Sequence, residues 1–346
     1  VMLPATVLAA IIMNGFGLEI YSIPAAIFAS GVATITFLFV TNFKIPLYYG
    51  SSFSYIGAVA IVVTYAVDNT WSSTTVLGSV LIASVLSGLM SIGAGLLIRY
   101  FGKDKIDKVL PGHITGMIAM IIGLVLAGNV MGGILNASPT GAVDWLSVLV
   151  AFITFLTIAS LTVVLKKGFI SQIPILIGVA VGVLLSYLLW VPSLGTEWNF
   201  TNVGTYFGNI KNAQTVGFLD VMPWVTIPAA FNAPQLIGVA LIAIFPIAFA
   251  TIPESAAHVN QIDLYVNNLS KEKGGKDYPI RDMLDVNLIG DGIGDIVAVL
   301  TGGPAGTNYG ENVSASAVTK NFSSYVFLIT GILAIVVGLL LELLNL

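Results

Sequence analysis

Long apolar runs, broken by short stretches rich in Pro, Gly, Asn or charge, fill most of the chain. Val76–Leu97, Leu146–Leu165 and Tyr325–Leu344 each hold about 20 residues with almost no charge, enough to cross a hydrocarbon core of about 30 Å. Reading the runs between breaks predicts about 11 membrane segments. Their expected limits are 1–17, 22–41, 47–66, 75–98, 109–130, 144–165, 169–191, 235–258, 284–300, 305–318 and 323–345. The third and tenth fit a full span poorly. Each follows a Pro, is interrupted by Gly and holds too few apolar residues. The pattern predicts an all-α polytopic membrane protein.

Composition agrees with this. Of 346 residues 57% are hydrophobic and only 9% charged, and the mean hydropathy is +0.97. A soluble domain carries about 25% charged residues, and 13 basic plus 17 acidic side chains could not cover a water-facing surface of this size. The net charge of −4 leaves no basic face for nucleic acid. The absence of cysteine excludes disulfides, thiolate metal sites and cysteine nucleophiles. The chain opens inside an apolar run, Val1–Ile12, with neither an initiator Met nor a basic n-region. The expectation is a chain cut within its first membrane segment, without an intact signal peptide.

Charge also orients the segments. Lys44, Arg99, Lys103, Lys105, Lys108, Lys166, Lys167, Lys271, Lys273, Lys276, Arg281 and Lys320 all fall in even-numbered connections, and among basic residues only Lys211 does not. The positive-inside rule places those connections in the cytoplasm, and with them the N-terminus. An odd number of spans puts the C-terminus outside. The long connection 192–234, rich in aromatic residues, Asn and Pro, is then external and is expected to be a surface excursion rather than a lid.

The two weak spans share a pattern. Tyr49-Gly50-Ser51-Ser52-Phe53-Ser54 and Tyr309-Gly310-Glu311-Asn312-Val313-Ser314 both read Tyr-Gly-x-x-apolar-Ser. Paired Gly/Pro-interrupted segments are the expected sign of a transporter built from inverted repeats. Non-helical backbone inside a membrane must be satisfied by protein or by a polar cavity, so a polar substrate near the midplane would suit it. The competing reading is that Gly50 and Gly310 simply allow close helix packing.

Glu254 ends the run Ile237–Pro253, and Glu311 sits in the tenth segment. A carboxylate in such a place costs roughly 2.5–3.5 kcal/mol and marks a functional-site candidate. With no Lys or Arg deep in any span, protonation, a bound cation or a hydrogen-bonding ligand must compensate. Burial favours the neutral acid, which points to proton coupling with sodium as the alternative. His258 lies one turn after Glu254, where it would relay protons or orient the carboxylate, or else be solvated at the interface. Asp291 and Asp295 share a helix face in the ninth span, and His113 follows Pro111-Gly112; structural roles are expected for all three. Gly290-Asp291-Gly292-Ile293-Gly294-Asp295 is not a nucleotide-binding loop, since Asp295 stands where the last Gly belongs. An intramembrane zinc protease lacks its HExxH and any cysteine, and no charged ring or repeated filter suggests a channel. No enzymatic activity and no metal site are expected.

At these residues the chain resembles the nucleobase–ascorbate transporter family, in particular its bacterial uracil permeases (uracil:proton symporters). The resemblance runs through Lys44-Ile45-Pro46 with Gly50-Ser51-Ser52-Phe53, Ile122-Gly123-Leu124 with Leu126-Ala127-Gly128, and Ile173-Pro174-Ile175-Leu176-Ile177-Gly178-Val179. It continues through Pro246, Glu254, His258 and Gly290-Asp291-Gly292, and is strongest at Thr307-Asn308-Tyr309-Gly310-Glu311-Asn312.

The resemblance implies two inverted seven-segment repeats divided into core and gate domains. Residues 1–100 and 235–346 would be core and 101–191 the first part of the gate, with the last three gate segments missing. It implies that Glu254 and Glu311 hydrogen-bond the edge of a base and that Phe53 and Gly310 offer backbone groups. The Phe53 ring would pack on the base, and Ala5 would line the pocket. Protons would be carried through Glu311, His258 and Glu254, while Tyr309, Ser52 and Asn312 support the site. The implied partners are a small nucleobase, uracil first and a purine such as xanthine second, and the lipid of a bacterial plasma membrane. No cofactor is implied, and homodimers occur in the family. The sequence departs from the uracil-permease pattern at Ser255 (usually His), Ala256-Ala257 (Val-Gly), Gly306 (Asn), Asn308 (Thr) and Lys320 (Arg).

Overall fold

The computed structural model describes residues 18–102, 145–164, 174–193 and 217–344, with single helical positions between 117 and 131. The predicted first segment, with Ala5, and most of the fifth, with His113, lie outside the described residues. The other nine predicted segments each correspond to an element. In chain order these are α1 (Ile23–Val40), β1 (Tyr49–Ser51), α2 (Ser54–Asp68), α3 (Ser73–Phe101), α4 (Trp145–Val164) and α5 (Pro174–Ser193). There follow α6 (Pro223–Ala230), α7 (Pro234–Ile244), a 3-10 turn (Phe245–Ile247), α8 (Ala248–Glu272), α9 (Leu284–Leu300), β2 (Gly306–Asn308), α10 (Gly310–Thr319) and α11 (Ser324–Leu343). Among the described residues, five helical stretches are long and apolar enough to span a bilayer, including the broken run Pro234–Glu272.

The residues form two compact units, one from 1–123 and 215–346, the other from 124–214. In the second, α4 and α5 pack together where Gly178 and Gly182 leave room for Ile158 and Thr154. In the first, α9 is the central helix and packs on α1, α3 and α8. Its glycines explain how three helices approach it so closely. A Cβ at Gly292 would collide with the backbone of Gly88 on α3, and one at Gly290 would come within 3.0 Å of the Phe37 ring on α1. The motif that mimics a nucleotide loop is therefore a packing device of the kind small residues provide between membrane helices. On α1's other side, Gly31 meets Gly331 of α11, and Gly338 meets the Pro24 carbonyl.

The end of the expected surface excursion is packed against this unit. Phe218 makes an edge-to-face contact with Phe28, its N–H donates to Glu342 at 3.2 Å, and Val221 is fully buried. Helix α6 closes on Gly78 of α3 through Thr226 and Ala230. Its start is set by Pro223, which suits the first helical position because its missing N–H has no partner there anyway.

The two weak spans become strands that pair with each other. β1 runs antiparallel to β2, with Tyr49 opposite Asn308, Gly50 opposite Thr307 and Ser51 opposite Gly306. Pro46 and Pro304 precede them, and Pro biases the preceding residue toward extended backbone, so neither segment can continue as helix. The glycines permit the close approach. A Cβ at Gly50 would stand 2.5 Å from the Tyr309 ring, and one at Gly306 would strike the Gly50 carbonyl. The shared Tyr-Gly pairs thus occupy different places, the first within β1 and the second at the junction of β2 and α10.

Side chains finish what three residue pairs cannot. Tyr49 N donates to Thr34 Oγ1 at 3.0 Å, and Tyr309 N to the Tyr48 carbonyl at 3.0 Å. Asp295 Oδ1 accepts from Gly306 N at 2.8 Å and from the Tyr49 hydroxyl, so one carboxylate ties both strands to α9. The structural role expected of Asp295 is this one. Asp295→Ala should leave the buried Tyr49 hydroxyl without its acceptor and Gly306 N with only that hydroxyl at 3.1 Å, and destabilise the solubilised protein by roughly 2 kcal/mol, whereas Asp295→Asn, which keeps an acceptor oxygen, should lose less than half of that. Chemical denaturation in detergent, followed through tyrosine fluorescence, measures both.

Candidate functional site

Helices α2 and α10 each begin where their strand ends, at Phe53 and Tyr309. Their N-termini present the positive end of the helix dipole. Between them lies a cavity of about 260 Å³. From the β1 side it is lined by Ser51, Ser52 and Phe53, and from the β2 side by Thr307, Asn308, Tyr309, Gly310 and Ser314. Glu254 and His258 of α8 close it.

The placement of Glu254 follows from its neighbours. The segment that carries it is interrupted twice, by the 3-10 turn at Pro246 and by Pro253 inside α8. Pro253 lacks the N–H that would reach the preceding turn, so α8 is weakened one residue before the carboxylate. Glu254 accepts from the Ser54 hydroxyl at 3.4 Å, linking α8 to the first residue of α2. His258, four residues on, shares its face, as the spacing predicts. A Cβ at Gly310 would lie 2.7 Å from His258 Nε2, so the glycine is what lets the imidazole approach α10.

Six of the predicted site residues therefore meet around one cavity: Glu254, His258, Phe53, Gly310, Tyr309 and Ser52. Tyr309 also supports the backbone, donating from its hydroxyl to the Ser51 carbonyl at 3.0 Å. Ser52 N–H donates to the Ala305 carbonyl at 3.3 Å, and its hydroxyl oxygen accepts from Ser54 N at 3.2 Å. Asn312 is buried in α10. Glu311 is the second residue of α10, placed there by its backbone.

Sequence reasoning missed Ser51, Thr307, Asn308 and Ser314 as lining residues. Thr307 and Asn308 drew notice only within the block that carries the family resemblance, Asn308 also as a departure from its pattern, and no carboxylate or aromatic marks these positions.

Behind the cavity, α8 turns its next residue the other way. Ser255 is fully buried, and its Oγ accepts from Asn287 Nδ2 at 2.7 Å and from Asn308 Nδ2 at 3.3 Å. Asn308 Nδ2 also lies 3.3 Å from Asn287 Oδ1. A larger opening of about 1000 Å³ runs past Phe43, Lys44, Lys273 and Tyr325, but it lies at helix ends and carries none of the predicted site residues.

Comparison with known proteins agrees with this fold. The uracil permease of Bacillus caldolyticus is 29% identical over 313 residues, covering 90% of this chain and 64% of the relative. The uracil permease of Escherichia coli K12 is 28% identical over 317 residues, covering 89% and 62%. The chain thus spans less than two thirds of the length of these relatives. Among solved structures, the transmembrane domain of the cyanobacterial bicarbonate transporter BicA superposes with a TM-score of 0.61 at 16% identity, covering 99% of this chain and 81% of that one. That likeness speaks for the fold alone. A family model described as "Permease family" (Xan_ur_permease) matches residues 1–346, and the chain, an integral membrane protein, belongs to that permease family.

Proposed function

We propose that this chain is the substrate-binding part of a proton-coupled nucleobase symporter whose preferred base is uracil. The observation that carries the reading is the small cavity where two helix N-termini, a carboxylate and an imidazole converge, in a member of the permease family with relatives named uracil permeases. These relatives are named as permeases, not enzymes.

The chemistry suits a flat, neutral ring edged with donors and acceptors. Glu254 accepts from ring N–H groups, while backbone N–H groups at Phe53 and Gly310 donate to ring carbonyls in the field of the two helix dipoles. The Phe53 ring packs on the base. Glu311, one residue beyond Gly310, supplies the second carboxyl group, and Ala5 completes the apolar lining. Protons pass through Glu311, His258 and Glu254. The strand-and-half-helix elements are the discontinuous third and tenth segments of two inverted repeats. The elements that carry them, within 1–100 and 235–346, form the core that moves against a gate built in part from 101–191. The even-numbered connections lie in the cytoplasm.

Binding of labelled uracil to the purified protein, competed with xanthine, guanine, uric acid and ascorbate, tests the substrate. Uracil should be displaced by pyrimidines only; displacement by xanthine would make the site a purine site. Glu254→Gln should weaken binding about tenfold or more, which corresponds to about 1.4 kcal/mol and lies within the worth of one charge-assisted hydrogen bond. Gly310→Ala, which drives His258 away, should weaken it by a similar factor. In proteoliposomes, uptake should speed up when the outside is acidified and ignore a sodium gradient. Acceleration by sodium alone would overturn the proton assignment.

A further inference from the structure

Among the described residues, four buried side-chain atoms have no hydrogen-bond partner: His258 Nδ1, Asp291 Oδ1, Thr307 Oγ1 and Asn308 Oδ1. All four lie on α8, α9 or β2. Two of them, Asp291 Oδ1 and Asn308 Oδ1, belong to the network around Ser255. Asp291 is 3% exposed, and the Ser255 hydroxyl and the Asn308 backbone lie beside its carboxyl group.

Among the described residues, nothing positive faces this carboxyl. From its own helix comes Asp295, from α8 Glu254, from β1 Tyr49 and from α2 Tyr55. α1 carries no ionisable side chain. Arg99 of α3 is engaged with Asp285 at 2.8 Å. Asp295 is satisfied by two donors, whereas Asp291 keeps an orphan oxygen among other acids. A buried carboxylate without a counter-ion or a full set of donors is untenable in a membrane; binding a proton removes the charge and turns the orphan oxygen into a donor.

We propose that Asp291 is a proton-carrying carboxyl group distinct from the pocket's Glu254 and His258, joined to the pocket through Ser255 and Asn308. Ser255 is the neighbour of Glu254, and Asn308 both lines the cavity and bonds to Ser255. The proton on Asp291 therefore sits one residue behind the substrate site on two separate elements. The proposal goes beyond the coupling residues named above and does not depend on which base is carried.

Infrared spectroscopy of the protein in liposomes, with no nucleobase present, tests it. At neutral pH the protonated-carboxyl C=O absorption, shifted by exchange into D2O, should contain a band that is present in the wild type, in Glu254→Gln and in Glu311→Gln and that Asp291→Asn alone removes. Ser255→Ala leaves the carboxyl in place and removes its hydroxyl partner, so it should shift the band's frequency without abolishing it; this arm stands even where Asp291→Asn does not fold. Absorption that loses no band in folded Asp291→Asn, or that ignores Ser255→Ala, would overturn the assignment. So would a band that disappears on adding sodium at constant pH, which would make the site one for an alkali cation. Loss of uracil binding in Glu254→Gln with this band intact separates the two readings.

Discussion

Backbone that leaves the helix inside a bilayer has no water to turn to, and every amide it exposes must find a partner within the protein. Here six residues from opposite ends of the described chain, Tyr49–Ser51 and Gly306–Asn308, answer that demand largely for one another. The rest of the first unit is arranged to make the answer hold. Thr34 reaches across from α1, Asp295 across from α9, and Gly50 and Gly306 give up their side chains so that the strands and the Tyr309 ring can close. The helices α2 and α10 can then start side by side at the edge of the cavity.

Much of this was legible in the residues. Apolar runs and the placement of lysines gave the segments, and the nine that can be compared correspond to elements. The two short, Gly-interrupted spans stood out because helical periodicity failed there. Glu254 and His258 were legible because charge in an apolar run is costly, and four residues is one helical turn. Other features were not legible. The paired Tyr-Gly motifs suggested matching positions, but one lies in a strand and the other begins a helix, because cross-strand register depends on partners more than 240 residues away, as the link from Tyr49 to Asp295 shows. Thr307 and Asn308 stand in a recognisable motif, but nothing local marks them as lining residues; their place at the cavity comes from the pairing of β2 with β1. The packed stretch 217–230 reads as loop because its burial rests on Gly78 and Phe28, which local pattern does not connect to it.

Adjacent residues on α8 divide the labour of the site. Glu254 faces the cavity while Ser255 faces α9 and β2, so a change in the cavity and a change in the buried network are both felt by the same half-turn of helix. Pro253, just before them, removes one of the bonds that would hold this turn rigid. The same economy appears on β2, where Asn308 lines the cavity and also holds Ser255.

The strand pairing also bears on how the protein is made. Gly306 donates to a tyrosine 257 positions earlier in the chain. The ribosome delivers the first broken segment long before the second exists. Until then β1 must wait in or beside the translocation machinery with its amides unmatched, shielded by neighbouring helices or by insertion factors. Contacts of such long range are slow to form. Biogenesis of this permease should therefore be committed late, when the segment bearing β2 enters the bilayer, and a synthesis stall between the two would leave a product that quality-control proteases can recognise.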